Sequence, residues 1–236
     1  MSQLLGLKVN TLHRLTKQTK QAMVSIKKFI FSPFQENTYV LYNEEKEAWV
    51  IDPGCYDQRE KNALKNFIRL EGLNVTRLLN THCHLDHVFG NRFVSTEFDV
   101  LPEYHVLDQP TMDMAKTSAD LYGIPGFEES PTAVNHLDEN DILKLGSDEF
   151  EVRFVPGHAP GHIAFVNHQQ KFVIGGDVLF HRSIGRTDLP GGNFDQLIAS
   201  IKSQFYTLPP DFKVYSGHGS ETFIEEEIKN NPFTKN

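Results

Sequence analysis

Only two cysteines, Cys55 and Cys83, occur among 236 residues. That is too few for a disulfide scaffold, so the core must come from hydrophobic burial and a reducing cytosol is the default compartment. No apolar run approaches the roughly 20 residues of a membrane span, so no membrane partner is expected. Basic residues are also in short supply: 23 Lys and Arg stand against 31 Asp and Glu, for a net charge of −8. A phosphate-binding face wants a basic surplus, which argues against a nucleic-acid partner. Repeats and low-complexity tracts are absent too. The remainder, 39% hydrophobic and 23% charged, is the composition of an ordinary soluble globule with chain enough for one large core. Oligomeric state is not legible.

Acidic residues are missing altogether from Met1 to Ala22, which carries Lys8, Arg14, Lys17 and Lys20. The segment lacks a sustained apolar stretch and so is not a secretory signal. Residues 1–22 are expected to form a poorly ordered extension, with Met23 an alternative start, and residues 23–236 to form a single domain. Within that domain Val24–Phe31, Thr38–Tyr42 and Ala48–Ile51 read as strands rich in Phe, Val, Ile and Tyr. Gln58–Leu70 carries a helical apolar stripe ended by Gly72, and Val75–Leu79 reads as a buried strand. Helices are expected over Val88–Glu97 and over Asp108–Leu121, the latter capped by Asp108 with Pro110 in its first turn. Ile142–Leu145, Phe150–Val155, Ile163–Val166 and Lys171–Ile174 form a second run of strands. Helices over Phe194–Phe205 and Glu221–Lys229 follow.

Histidine is the residue that clusters. Residues 81–87 read Thr-His-Cys-His-Leu-Asp-His. His82 and His84 are two apart, so in extended backbone they point the same way. Asp86 and His87 follow at the turn and can face a second point nearby, which suggests two adjacent metals. A zinc-type ion wants four ligands, or three and a water, and more candidates lie downstream. His158 sits in Pro156-Gly157-His158-Ala159-Pro160-Gly161-His162, Asp177 follows Phe172-Val173-Ile174-Gly175-Gly176, and His218 lies in Val214-Tyr215-Ser216-Gly217-His218-Gly219. Each stands just past an apolar run, where a strand end can hold a loop ligand rigidly.

In this order the motifs resemble the metallo-β-lactamase superfamily over about residues 24–233, with Asp52 of Ile51-Asp52-Pro53-Gly54 as a fifth element. The resemblance implies an α+β fold, a four-layer αββα sandwich with the site at one edge. It implies one metal on His82, His84 and His158, a second on Asp86, His87 and His218, and Asp177 bridging them. Two divalent ions per chain, about 3.5–4 Å apart, would share a hydroxide. Zinc, iron and manganese all suit such ligands. Asp52 and His162 are expected behind the ligands, orienting them by hydrogen bonds.

Gly185-Arg186-Thr187-Asp188, Pro190-Gly191-Gly192 and the ending Asn230-Asn231-Pro232-Phe233 resemble the glyoxalase II and persulfide dioxygenase branch. The commonest zinc β-lactamases carry a cysteine at the position of Asp177, so this chain departs from them. The glyoxalase II likeness implies a cytoplasmic hydrolase of an anionic small-acid thioester resembling S-D-lactoylglutathione. The bridging hydroxide would attack the carbonyl while the catalytic Asp86 orients it and carries a proton. Only 18 residues follow His218, too few for the helical domain that supplies much of the glutathione site in glyoxalase II, so glutathione recognition is not expected to carry over automatically. The alternative is a persulfide dioxygenase-like oxidoreductase with one iron on His82, His158 and Asp177.

Other residues leave two readings open. Arg186 either clamps a substrate carboxylate or pairs internally with Asp188 or another acid. His181 and Arg182 line the mouth or lie on the surface, and Tyr122 and Phe127 wall the pocket or pack in the core. Cys83 reads as a small buried residue. His13, His105, His136 and His168 read as solvated or structural.

Overall fold

The computed structural model describes residues 23–235; the expected N-terminal extension, residues 1–22, lies outside them. Chain order and spatial order coincide in the first sheet, β1 (Ser25–Phe31), β2 (Glu36–Tyr42), β3 (Glu47–Ile51), β4 (Asn74–Leu79), β5 (Pro102–Tyr104) and β6 (Asn135–His136). β1 to β3 pair antiparallel, and β3 to β6 pair parallel. Helices make the parallel returns: α1 (Gln58–Leu70) before β4, then α2 (Leu85–Val88) and α3 (Asn91–Phe98) before β5, then α4 (Gln109–Asp113) and α5 (Ala115–Leu121) before β6.

The second sheet contains β7 (Ile142–Leu145), β8 (Asp148–Phe154), β9 (Ile163–Asn167) and β10 (Phe172–Gly176). After a small hairpin, β11 (Leu179–Phe180) with β12 (Ser183–Ile184), the chain forms α6 (Phe194–Ser200), β13 (Lys213–Ser216), β14 (Thr222–Phe223) and α7 (Ile224–Asn230). The order across this sheet is β14-β13-β10-β9-β8-β7.

Strand alternation builds the layers, because successive side chains leave opposite faces. Tyr39, Leu41, Trp49 and Ile51 of the first sheet meet Phe150, Phe165, Phe172 and Ile174 of the second in one core between the sheets. Their neighbours Val40, Ala48 and Val50 face the other way, under α1 and α3. On the far side Ala164, Val166 and Val173 pack against Leu197, Phe205 and Ile224. The result is the expected αββα sandwich. Among the described residues no helix is long and apolar enough to cross a membrane.

Helix α1 has the expected bounds because Asp57 and Glu60 form a capping box, with Asp57 Oδ1 accepting from Glu60 N at 2.8 Å. The four other helices differ from expectation: the one over Phe194–Phe205 is α-helical to Ser200 and continues as a π-helical turn over Ile201–Phe205, and the one over Glu221–Lys229 begins at Ile224 because Thr222–Phe223 pairs with β13. The single helix over Val88–Glu97 is instead α2 and α3, broken at Phe89–Gly90, where Gly90 N donates to Pro53 O at 2.6 Å. A Cβ on Gly90 would sit 2.4 Å from Cys55 Sγ, so the break is a close approach of two segments. The helix over Asp108–Leu121 is interrupted at Met114. Asp108 makes no side-chain cap there, although Pro110 does occupy the first turn; its carboxylate is engaged elsewhere.

Candidate metal centre

Loops at the C-terminal ends of β4, β8, β10 and β13 converge at one edge of the sandwich. The loop after β4 carries His82 and His84 into α2, whose first turn holds Asp86 and then His87. His158 follows β8, Asp177 follows β10 and His218 follows β13. Ligand-type atoms of His82, His84 and His158 lie within 4.8 Å of one another, and so do those of Asp86, His87 and His218.

The hydrogen-bond chemistry settles which nitrogens point inward. Thr81 Oγ1 donates to Asp52 Oδ2 at 2.6 Å, so it has only lone pairs left for His82 Nδ1 at 3.1 Å. His82 therefore carries its proton on Nδ1, and Nε2 is bare. The same logic holds for His158, whose Nδ1 lies 2.7 Å from the Arg186 carbonyl, a group that can only accept. The bare Nε2 of His158 then faces the bare Nε2 of His82 at 3.2 Å and His84 Nδ1 at 2.8 Å. Two nitrogen lone pairs cannot hydrogen-bond to each other; a shared cation reconciles them. A tetrahedral ion with metal–nitrogen bonds of about 2.0–2.1 Å sets its ligands roughly 3.3 Å apart, so the three imidazoles fit a metal.

The second group is bound to the first through one carboxylate. Asp177 Oδ2 lies 3.5 Å from His158 Nε2 and 3.5 Å from His218 Nε2. Asp177 Oδ1 is buried, has no hydrogen-bond partner, and lies 3.5 Å from the equally unpartnered Nε2 of His87. His218 Nε2 lies 3.1 Å from Asp86 Oδ2. Buried polar atoms left without partners are costly, and here they are the atoms a second ion would use.

Electrostatics holds His82, His84 and Asp177 in their binding forms, whereas the carboxylates around His87 favour a proton that it gives up when an ion binds. Burial, followed by the neighbouring imidazoles, holds His82 well below its ordinary value, and burial with His158 brings His84 down to about 3. Both stay neutral, as metal ligands must. Burial pushes the Asp177 carboxyl up, but His87 and then His158 outweigh it and leave it far below the carboxylate range. Burial pulls His87 down, yet Asp86 and Asp177 raise it well above its ordinary value.

Around the ligands, Asp52 accepts from Thr81 N at 2.7 Å and lies 3.2 Å from His87 Nδ1, on the side away from the cavity. Asp52 also adopts the left-handed conformation, φ 48°, uncommon without glycine. His162 stacks on His82 with centroids 4.6 Å apart, and its Nε2 accepts from the Asp177 main-chain N at 3.0 Å. Asp52 and His162 also come close to ligands, and Asp52 with His82 and His87 forms a third compact group; both Asp52 oxygens, however, already accept from Thr81.

Two residues that the sequence did not single out hold this site. Thr81 sets the His82 tautomer. Asp108, fully buried, accepts from Cys83 N at 2.5 Å and from Gly161 N at 3.0 Å, tying the loop of His82 and His84 to the loop of His158 and His162. Thr81 adjoins a ligand and could have been found from the motif. Asp108 has no local signal, since its partners lie 25 and 53 residues away.

A cavity of about 680 Å³ opens over His84, Asp86, His158, Asp177 and His218. Cys83, Tyr122 and Arg186 also line it. Arg186 pairs with Asp188 through two contacts of 2.7 Å. Phe127 packs near Phe89 instead, Arg182 pairs with Glu226, and His181 lies 3.7 Å from Glu227. His105 stacks on Phe154 and His168 pairs with Glu151, away from the ligands.

A metallo-β-lactamase superfamily model matches residues 31–218. The chain belongs to the metallo-β-lactamase superfamily. Within this superfamily, it is 37% identical over 201 residues to hydroxyacylglutathione hydrolase GloC of Haemophilus influenzae, covering 85% of this chain and 93% of that protein. Among solved superfamily structures, BLEG-1 B3 metallo-β-lactamase superposes with a TM-score of 0.80 at 35% identity, covering 90% of this chain and all of that one. TTHA1623 in a di-iron-bound form gives 0.79 at 36% identity, covering 88% and 99%.

Proposed function

We propose that this chain is a dinuclear metal-dependent hydrolase of a small-acid thioester resembling S-D-lactoylglutathione. The observation that carries the reading is the position of Asp177, 3.5 Å from His158 of one group and 3.5 Å from His87 and His218 of the other. His82, His84 and His158 would hold one ion, Asp86, His87 and His218 the second, and Asp177 both. When bound, such a pair of ions makes water a nucleophile near neutral pH and polarises a carbonyl oxygen. Zinc or iron suits these donors, and the di-iron relative supports iron among the candidates.

The protein's own groups then do three things. The neutral imidazoles of His82 and His84 and the buried Asp177 fix the donor positions without rearrangement. Asp86 lines the cavity; burial pushes it up, but His87 and His218 outweigh that and hold it below its ordinary range, so it stays ionised and accepts a hydrogen bond from the attacking water. Arg186 is placed on the rim to meet an anionic substrate by exchanging partners with Asp188. A thioester suits this set of groups because its thiolate leaves as the conjugate base of an acid with pKa near roughly 8.5. It therefore departs without the proton donor an amine would need. The likeness to a hydroxyacylglutathione hydrolase supports the same substrate type.

The test is thiol release from a panel led by S-D-lactoylglutathione, with nitrocefin as the cyclic amide. Thioester hydrolysis that disappears with a chelator and returns with metal is the expected result. No thioester turnover at full metal content, with oxygen uptake in the presence of glutathione persulfide, would replace the reading by the mononuclear iron oxidoreductase.

A further inference from the structure

The cavity wall does not match the polar character of a glutathionyl group. Beyond the ligands it is lined mostly by apolar side chains, among them Phe34, Met114, Leu121, Phe180 and Leu189, with Thr111, Thr117, Ser118 and Ser183 as neutral hydroxyls between them. Phe34 and Tyr122 meet edge to face at 5.8 Å, forming one aromatic wall. Met114, Leu121 and Tyr122 remain 45%, 82% and 49% exposed, so the rim itself offers apolar surface to solvent. Large apolar side chains gathered at a catalytic cavity mark a surface that a ligand covers.

Charge leads to the same conclusion. Glutathione carries two carboxylates and an ammonium. Among the described residues lining the cavity, Arg186 is the one Lys or Arg, and Asp188 already engages it through both carboxylate oxygens. The acids facing the cavity are Asp86 and Asp177, which the ligand groups occupy. One anionic group can be met at Arg186; a zwitterionic peptide with three charges finds no further ionic partner there.

We infer that the cavity recognises an alkyl or aryl arm carried by the substrate, so that the substrates are thioesters or esters of an apolar-armed carboxylic acid in preference to glutathione conjugates. This rests on the reading of the site as a thioester hydrolase. The reacting carbonyl would lie over His84, Asp86, His158 and His218, with the arm along the part of the cavity lined by Phe34, Tyr122 and Leu189. At about 680 Å³ the space suits an arm of several carbons or one aromatic ring with room to spare.

A binding measurement separates this inference from the reading it rests on. The metal-loaded full chain is titrated calorimetrically with butyrate, 4-phenylbutyrate and S-methylglutathione; the first two differ by a phenyl group alone. The phenyl group should tighten binding about tenfold or more, with S-methylglutathione weaker than 4-phenylbutyrate. In the Met114→Ser, Leu121→Ser variant most of the phenyl gain should be lost, and because both residues are exposed the fold should tolerate the change. A phenyl gain under about twofold, a gain that survives the variant, or tighter binding of S-methylglutathione would each overturn the inference. Failure to hydrolyse any thioester while the phenyl gain persists would remove the proposed reaction and leave the apolar recognition standing.

Discussion

The main-chain carbonyl of Arg186 accepts a hydrogen bond from Nδ1 of His158 at 2.7 Å, while its guanidinium turns to Asp188. One residue thus serves the ligand set with its backbone and the cavity rim with its side chain. Arg186→Ala keeps the carbonyl and removes the guanidinium. Metal content should stay at the wild-type level, and KM for an anionic thioester should rise severalfold with a smaller change in kcat. An unchanged KM would assign the side chain to the Asp188 pair alone.

Gly217 backs Asp177 directly. A Cβ there would fall 2.1 Å from Asp177 Oδ1 and 2.8 Å from His87 Cε1. Gly217→Ala should displace the carboxylate that spans both ligand groups, lowering metal affinity on the order of 10–100-fold. Metal competition with a chromophoric chelator measures it, and wild-type affinity in the variant would contradict the assigned position of Asp177.

Asp108 holds the two histidine loops together through Cys83 N and Gly161 N. Asp108→Ala leaves those buried donors without an acceptor, each at a cost of about 1–3 kcal/mol. The melting temperature should fall and metal should be lost with it, while Asp108→Asn, which keeps one acceptor oxygen, should recover part of both. Equal losses in the two variants would show that the hydrogen bonds to Asp108 are not what matters.

These residues mark where sequence reading works and where it stops. The histidine motif was legible because its spacing is local, and α1 because its apolar stripe over Gln58–Leu70 ends at Gly72. The two sheets follow from alternation in residues such as Tyr39, Val40 and Leu41, whose faces are fixed by period alone. Asp108 looked like a helix cap, since an Asp before a proline-containing turn usually is one; long-range contacts decided otherwise. The breaks at Gly90 and Met114 and the short β5 and β6 are also tertiary, set by neighbours rather than by local propensity. Arg186 shows a further limit: its sequence position promised a side-chain role, and the hydrogen bond that reaches a ligand comes from its backbone.

Glu36 provides a pH test. It is fully buried beneath the site, with Oε2 accepting from Thr38 Oγ1 at 2.8 Å and Oε1 unpartnered. Burial, outweighing His87, pushes its carboxyl well above the ordinary value of 4.5. A raised folded-state value means that the neutral acid favours folding: its contribution is full below about 4.5 and is lost as pH rises through the raised value. Glu36→Gln removes that loss. Melting of the metal-stripped proteins should show the variant gaining on wild type by a few degrees from acidic to mildly alkaline pH. A constant gap, or one that narrows as pH rises, would contradict the buried neutral acid.

Elemental analysis of protein purified anaerobically tests the two-ion centre most directly, with His218→Ala alongside the wild type. Close to two zinc or iron ions per wild-type chain, and close to one in His218→Ala, is the expected result. A wild-type chain that saturates at one ion, or a variant that keeps the wild-type content, would contradict the division of ligands between His82, His84 and His158 on one side and Asp86, His87 and His218 on the other.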